Sequence, residues 1–562
     1  MPSTYHDDVV LPATPELPTD GPSARTIAKY NATDLSDLLH DDSWWRDMLA
    51  FDWDFHTLRG RNQITGFVTK HQPRAQMNSI RLVTGLGQGP VVETPQMGTT
   101  WVRAMFEFET YCGRGIGVVY VTHGDTWKAF AVYTALQDIS KFVERVSRKR
   151  LEGTVESLPG GLGQRTWSDR RQMQVKFKDE EPTVLVLGAG QSGLNIGARL
   201  RSMGVSCVVI EQNDRYSPKD KLADWFEGYA MAMDLNIWLQ STVTSAVYDD
   251  DQRRWSVTVQ DSDGERVFEP HHIVWCGGQF GVEKIRHFPT QPLFQGTIYH
   301  SKAHRDAALM SPGGKKVVVV GSGNSEHDIA QDFYENGAQV TMIQRGTTYV
   351  LGQAGLPLLP ENAFVDDDSM PLEVVDILSE SLPWPVALAL LRHNTNEITT
   401  ADKELLDGLQ QSGFGLNRGP NGQGIIGLYV HRGGGYYIDF GCSQLIIDGK
   451  IQVKQCAEGV AGFDERHVLL GDGTRLEADI VVLATGYHGA LESVRRVLGS
   501  DVADRCNKEV WGLDEAGEIR TVWRPSGHPG FWLMGGNLAQ SRVYSKFLAL
   551  QIAATEAGLV PA

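Results

Sequence analysis

The sequence predicts an α/β protein: two Rossmann-like dinucleotide-binding domains preceded by a small α+β, cone-like domain. Three observations carry this expectation. Residues 183–211 run strand, glycine turn, helix, strand and acid in order. A second stretch, 315–345, repeats the same plan. Residues 25–167 follow a different pattern, with an alternating segment and a turn signal between two further strand candidates.

In the first stretch an apolar strand enters Gly188-Ala189-Gly190-Gln191-Ser192-Gly193. Gly188 permits the tight turn, Gly190 lets a pyrophosphate approach the backbone, and Gly193 lets helix and strand pack closely. The helix start that follows, with Gln191 and Ser192, offers N–H groups and a favourable dipole to phosphate. Glu211 lies about 18 positions after Gly193, where a carboxylate accepts hydrogen bonds from a ribose diol. In the second stretch the loop reads Gly321-Ser322-Gly323-Asn324-Ser325-Glu326, with Glu326 in place of the third glycine. The strand after it ends on Arg345, a residue suited to a 2′-phosphate and hence to NADPH over NADH. Gly321, Gly323, Asn324, Ser325 and Arg345 form the expected NADPH set.

Residues 1–24 are acidic and proline-containing, unlike a signal or transit peptide, and read as a disordered arm. Residues 35–55, rich in tryptophan and acid, are expected to be helical, with Asp52, Asp54 and His56 in or just after the helix on a solvated face. Over 100–110, Val102, Ala104, Phe106 and Phe108 alternate with Trp101, Arg103, Met105 and Glu107, so this is a strand. Residues 115–122 and 126–136 form a hairpin through Gly124 and Asp125. Helix followed by antiparallel meander resembles, in pattern, the domain related to nuclear transport factor 2. Residues 168–179 read as a linker. The first dinucleotide domain is expected over 180–311 and 471–562, and the second over 312–470. Residues 352–440 read as irregular, apart from short helices at 372–382 and 386–392. Hairpins are expected around Asp448-Gly449 and Gly471-Asp472-Gly473.

The formal net charge of −17 argues against nucleic acid or an anionic membrane as the main partner. Cys112, Cys207, Cys276, Cys442, Cys456 and Cys506 show neither CxxC nor metal-ligand spacing, which fits reduced thiols in the cytoplasm and no metal. The sequence holds no run of the ~20 apolar residues that a membrane helix needs.

GAGQSG, the segment Phe294-Gln295-Gly296-Thr297-Ile298-Tyr299-His300-Ser301, GSGNSE and the ATGY of Ala484–Tyr487 occur in the order of the flavin-containing monooxygenases, and residues 180–560 resemble that family. Fungal-type members with an N-terminal extension and plant indole-3-pyruvate monooxygenases are similar. The resemblance implies FAD on Gly188, Gly190, Gln191, Ser192, Gly193, Glu211, Thr485, Gly486 and Asn537. It also implies NADPH on the second loop, and insertion of one oxygen atom from O2 into a small organic substrate through a flavin C4a-hydroperoxide, as in secondary metabolism. Phe294, Gly296, His300 and Ser301 carry the family signature. His300 is read as a structural histidine on a backbone carbonyl, and no catalytic residue is assigned. His304 and Arg305 depart from the Baeyer–Villiger branch. A non-redox alternative makes the chain a scaffold whose N-terminal domain binds a ligand or forms a homodimer. In the family, several tens of residues precede the helix that here begins near Lys221, but only about nine separate it from Glu211. That shortening, centred near residues 215–217, has two explanations: the sequence lacks a piece that the working protein has, such as a skipped exon, or part of the flavin site is lost. A chain of this exact sequence is then expected to bind FAD weakly and to uncouple NADPH oxidation from oxygenation.

Overall fold

In the computed structural model, residues 9–12, 35–85, 88–145, 175–177, 180–212, 220–360 and 370–560 are described. The linker expected over 168–179, apart from 175–177, and the shortened connection near 215–217 lie outside them. Of the expected disordered arm, 9–12 are described, and Val9 and Leu11 pack against the main core.

The N-terminal unit is a seven-stranded sheet with one long helix, Arg61–Ala75. From one edge its strands run Phe55–Arg59, Leu39–Met48, Trp127–Leu136, Arg114–His123, Thr99–Glu109 and Asn78–Leu82, with Val91–Gln96 also pairing with Thr99–Glu109. The helix expected over 35–55 is not formed: after a short 3₁₀ turn, Leu35–Leu38, the chain enters the strand Leu39–Met48. The reason is two-sided burial. Trp44 joins the core shared with the C-terminal half while Trp45 joins the opposite, local core, so both faces are apolar and the period-2 signal disappears. The alternation over 100–110 is realised: Val102, Ala104, Phe106 and Phe108 lie in one core, Trp101 and Met105 in the other.

Two five-stranded, wholly parallel sheets follow. The first has the order Ile237–Trp238, Cys207–Ile210, Val184–Leu187, His272–Trp275, Phe531–Leu533. The second has Thr297–His300, Ile480–Leu483, Lys316–Val320, Gln339–Gln344, Ile451–Gln455. The second unit therefore reaches from Thr297 to Leu483, beyond the limits of 312 and 470 read from the sequence. The hairpin expected at Asp448-Gly449 is absent. Cys442–Ile447 is a helix, because Gln339–Gln344 and Ile451–Gln455 pair in parallel and need a crossover. The hairpin around residues 471–473 forms, between His467–Leu470 and Arg475–Glu477.

The helices expected at 372–382 and 386–392 form as Leu372–Glu380 and the longer Trp384–Ala401, and the stretch otherwise expected to be irregular also holds Lys403–Gln411 and Gly424–Arg432. No single helix among the described residues is long and apolar enough to cross a membrane, and the first two of these are bent by 97° to one another. That bent pair packs with the N-terminal sheet and the C-terminal helix Leu538–Glu556 in one continuous core.

Arg46 sits in this junction with its side chain 1% exposed. Its Nε and Nη2 donate to the two carboxylate oxygens of Glu518 at 2.8 and 2.9 Å. Its Nη1 donates to the Glu380 carbonyl at 2.6 Å and the Glu380 carboxylate at 3.1 Å. Tyr544 donates to Glu380, and Thr57 to Glu518. A second pair, Arg524 with Asp54 at 2.7 Å, takes Asp54 out of the solvated face expected for it, while His56 keeps Asp52 as a partner at 3.3 Å. Removing one member of a buried pair leaves an uncompensated charge. Arg46→Met is therefore expected to lower stability by about 3–5 kcal/mol, read as a fall in the urea midpoint; an unchanged midpoint contradicts this account of the junction.

Candidate functional site

Both glycine loops are built alike. Gly188 follows the strand Val184–Leu187 with φ +105°, and a Cβ there would lie 2.9 Å from the Cys276 carbonyl oxygen at the end of the neighbouring strand. Gly321 follows Lys316–Val320 with φ +128°, and its Cβ would lie 2.8 Å from the Ala484 carbonyl oxygen at the end of Ile480–Leu483. In each sheet the loop thus stands where the strand order reverses, the crevice in which open parallel sheets hold ligands. A Cβ on Gly193 would meet the Gly188 carbonyl oxygen at 1.9 Å, so the helix Gln191–Ser202 rests directly on its strand. Gly190, by contrast, faces open space, with nothing within 4 Å of a Cβ. Ala189 donates its N–H to the buried Glu211 carboxylate at 2.7 Å, which ties the acid to the loop.

The same equivalence explains Thr485 and Gly486. They follow Ala484 as Gly277 and Gly278 follow Cys276, and they line a cavity of about 570 Å³ together with Gly321, Gly323, Asn324, Ser325 and Arg345. The structure therefore places these two members of the expected FAD set beside the second loop. Thr485 donates to the Lys284 carbonyl at 2.6 Å. Asn537, Gln191 and Ser192 gather elsewhere, where two helix starts meet. Gln191 donates to the Gly536 carbonyl at 3.0 Å, Ser192 and Ser541 share a hydrogen bond at 3.1 Å, and Asn537 caps the C-terminal helix through Gln540 N.

The motif 294–301 forms the edge strand Thr297–His300 of the second sheet and the turns on either side of it. Phe294 is buried against Phe463, and a Cβ on Gly296 would strike the Asp479 carbonyl oxygen at 2.3 Å. Ser301 opens a 3₁₀ turn. His300 Nδ1 accepts from Lys302 N, which leaves Nε2–H to donate to the Gly486 carbonyl at 3.1 Å. Burial pushes the imidazole pKa down. A neutral histidine on a backbone carbonyl is the role read from the sequence.

Sequence reading did not single out Phe280, Arg286, Tyr436 or Glu458, which also line the cavity. Phe280, Arg286 and Glu458 come from loops and Tyr436 opens the strand Tyr436–Ile438, far apart in the chain, and no local pattern marks the four as one site. Nor did it find Tyr429, whose hydroxyl accepts from Asn537 N at 3.2 Å and donates to Gln540. Tyr429 lies in one of the helices hidden in the stretch read as irregular.

Residues 212–352 match the family described as pyridine nucleotide-disulphide oxidoreductase. All six cysteines are free and buried, which gives dithiol chemistry no support here. Indole-3-pyruvate monooxygenase YUCCA1 of Oryza sativa subsp. japonica is 27% identical over 361 residues, covering 58% of this chain and 81% of that protein. The probable indole-3-pyruvate monooxygenase YUCCA9 of Arabidopsis thaliana is 26% identical over 352 residues, covering 55% of this chain and 76% of that protein. Among solved structures, a flavin-containing monooxygenase from Stenotrophomonas maltophilia aligns at 15% identity and a TM-score of 0.41, covering 66% of this chain and 98% of that one. A steroid monooxygenase bound to NADP aligns at 18% identity and a TM-score of 0.45, covering 67% and 85%.

The geometry separates two glycines that the motif treats alike. Gly190→Ala is expected to leave the thermal midpoint within about 2 °C of the parent, since a surface change away from strain costs about 0.5 kcal/mol or less. Its effect should fall on FAD binding, followed by absorbance at saturation. Gly193→Ala is expected to lower both. Equal loss of stability in the two variants would show that the open space at Gly190 has been misassigned.

Proposed function

We propose that the chain is an FAD- and NADPH-dependent monooxygenase acting on a small organic molecule with O2. The observation that carries this reading is the paired arrangement itself: two parallel sheets, each with a glycine loop at its switch point, connected by chain segments that pair where Lys284 N donates to the Gly486 carbonyl at 2.9 Å. The residues present fit the adenine-dinucleotide part of FAD. Gly190 leaves room for a pyrophosphate at the start of Gln191–Ser202, and Glu211 is fixed at the end of the adjacent strand. Two-electron and oxygen chemistry is what FAD supplies when bound. The chain's own part is to bind, orient and exclude water. Gln191, Asn537 and Tyr429 hold together the two helix starts, and Phe280 and Tyr487 pack 5.8 Å apart at the crossing end of the cavity. Arg345 is the cation for a 2′-phosphate on the rim. The names of the relatives favour a substrate of the indole-3-pyruvate kind, a planar aromatic carried on a 2-oxo acid.

The N-terminal sheet and its helix support a domain like that of nuclear transport factor 2, and a homodimer through this unit is part of the proposal. Buried free thiols favour a reducing, cytoplasmic setting. The short connection between Glu211 and the helix Asp220–Ala232 favours a second reading, an NADPH oxidase in which oxygen is reduced without transfer to substrate, because less chain is there to cover the ring from water.

The purified full-length chain is expected to be yellow and to oxidise NADPH faster than NADH. Arg345→Ala should reduce the kcat/KM for NADPH by roughly 10-fold or more, the scale of one charge-assisted hydrogen bond, and leave that for NADH unchanged. A colourless protein with no NADPH consumption favours the scaffold. Measuring peroxide against oxygenated product separates the coupled enzyme from the oxidase.

A further inference from the structure

The two loops differ at one point. Where Gly190 faces open space, its counterpart Gly323 faces a carboxylate, with Glu326 Oε2 3.0 Å from a Cβ built there. The other oxygen, Oε1, would lie 2.2 Å from a Cβ on Gly321. Glu326 thus occupies the concave side of the loop and lines the cavity. Its carboxylate also accepts from Gly323 N at 3.0 Å and bonds its own backbone N–H. These are the donors that a helix start otherwise offers to phosphate. The side chain fills the volume, uses the donors, and carries the same sign of charge as the expected ligand.

We propose that the second loop takes its dinucleotide together with a proton, Glu326 being the group that gives up its charge when the phosphates arrive. The proposal rests on the reading of this loop as the NADPH site and deepens it. Groups of both signs surround the carboxyl. On its own helix are Asp328, which disfavours the charge, and His327, whose Nδ1 bonds the Gly323 carbonyl. Across the cavity stand Arg345, Glu458 and Arg286. His300 faces the loop's neighbour at Gly486 and is held neutral-favouring by burial. Burial, set against the two backbone donors, pushes the Glu326 carboxyl up to about 7. A carboxyl of that kind is protonated below neutrality and charged above it. Phosphate beside it favours the protonated form further, so binding draws in a proton and affinity is lost as pH rises past about 7.

The experiment is isothermal titration of the full-length, FAD-loaded protein with NADP+ from about pH 6 to pH 9, repeated in buffers of different ionisation enthalpy. Glu326→Gln and Glu326→Ala are run beside the parent, with thermal unfolding as a check that each variant folds. The 2′-phosphate titrates in the same range in all three proteins, so the ratio of parent to variant isolates Glu326. The expected result is uptake of up to one proton by the parent near pH 8, and an affinity that falls relative to both variants by up to about tenfold per pH unit. Equal pH slopes in parent and variants, with no proton uptake, overturn the coupling while leaving the NADPH site intact. No NADP+ binding by any of the three at any pH overturns the site and the coupling with it.

Discussion

The carbonyl end of one strand pressed against the glycine that ends its neighbour is the contact on which both sites depend. Gly188 has Cys276 there and Gly321 has Ala484. In a parallel sheet the switch point is the one place where two adjacent strands send their chains to opposite faces and open a crevice. Only a residue without Cβ, at positive φ, turns there without striking the adjoining carbonyl. That same turn aims the following helix start into the crevice. Turn, crevice and helix dipole are thus one geometric solution used twice. Ala484-Thr485-Gly486 stands to the second loop as Cys276-Gly277-Gly278 stands to the first, and this is why Thr485 and Gly486 line the second cavity.

A different kind of constraint holds the N-terminal unit. Arg46 lies between Glu380 and Glu518, which belong to the inserted helices and to the C-terminal region. Two buried carboxylates require a cation that satisfies both, and a planar guanidinium does so with a forked pair on Glu518 and a separate N–H for Glu380. Tyr544 and Thr57 use the remaining acceptors. Such a network adds little net stability over an apolar filling but fixes how the three pieces meet. Gly424–Arg432 belongs to the same inserted stretch, and its Tyr429 reaches the start of the C-terminal helix. The junction and the candidate site are therefore mechanically continuous.

Legibility in the sequence followed the range of the forces. Glycine turns, their flanking strands and the alternation over 100–110 are local, and the chain states them directly. Misreadings arose where a distant partner decides. Trp44 and Trp45 lie in a strand whose two faces are both covered, so adjacent tryptophans resemble part of a helix. Asp448-Gly449 is good hairpin chemistry, but the parallel partner of Ile451–Gln455 lies about a hundred residues earlier and demands a crossover. Of the helices in 372–432, the first is legible and the second only in part; Lys403–Gln411 and Gly424–Arg432 are missed, the one held by burial against the second sheet and the other in part by the shared core.

Glu326 shows the division most sharply. The sequence by itself determined that a carboxylate stands where the motif has its third glycine, because residue identity and spacing are local facts. It also determined two dinucleotide folds, the turn glycines, the acid at 211 and the arginine at 345. Only the tertiary structure decided where that carboxylate goes, folded back onto Gly323 and into the concavity between Gly321 and Gly323. It alone decided that Thr485 belongs with the second loop and that Arg46 joins three distant segments. The physical reason is common to all three. Burial and the partners of a charged or polar group are set by whatever the fold brings against it, and that information is spread over the whole chain.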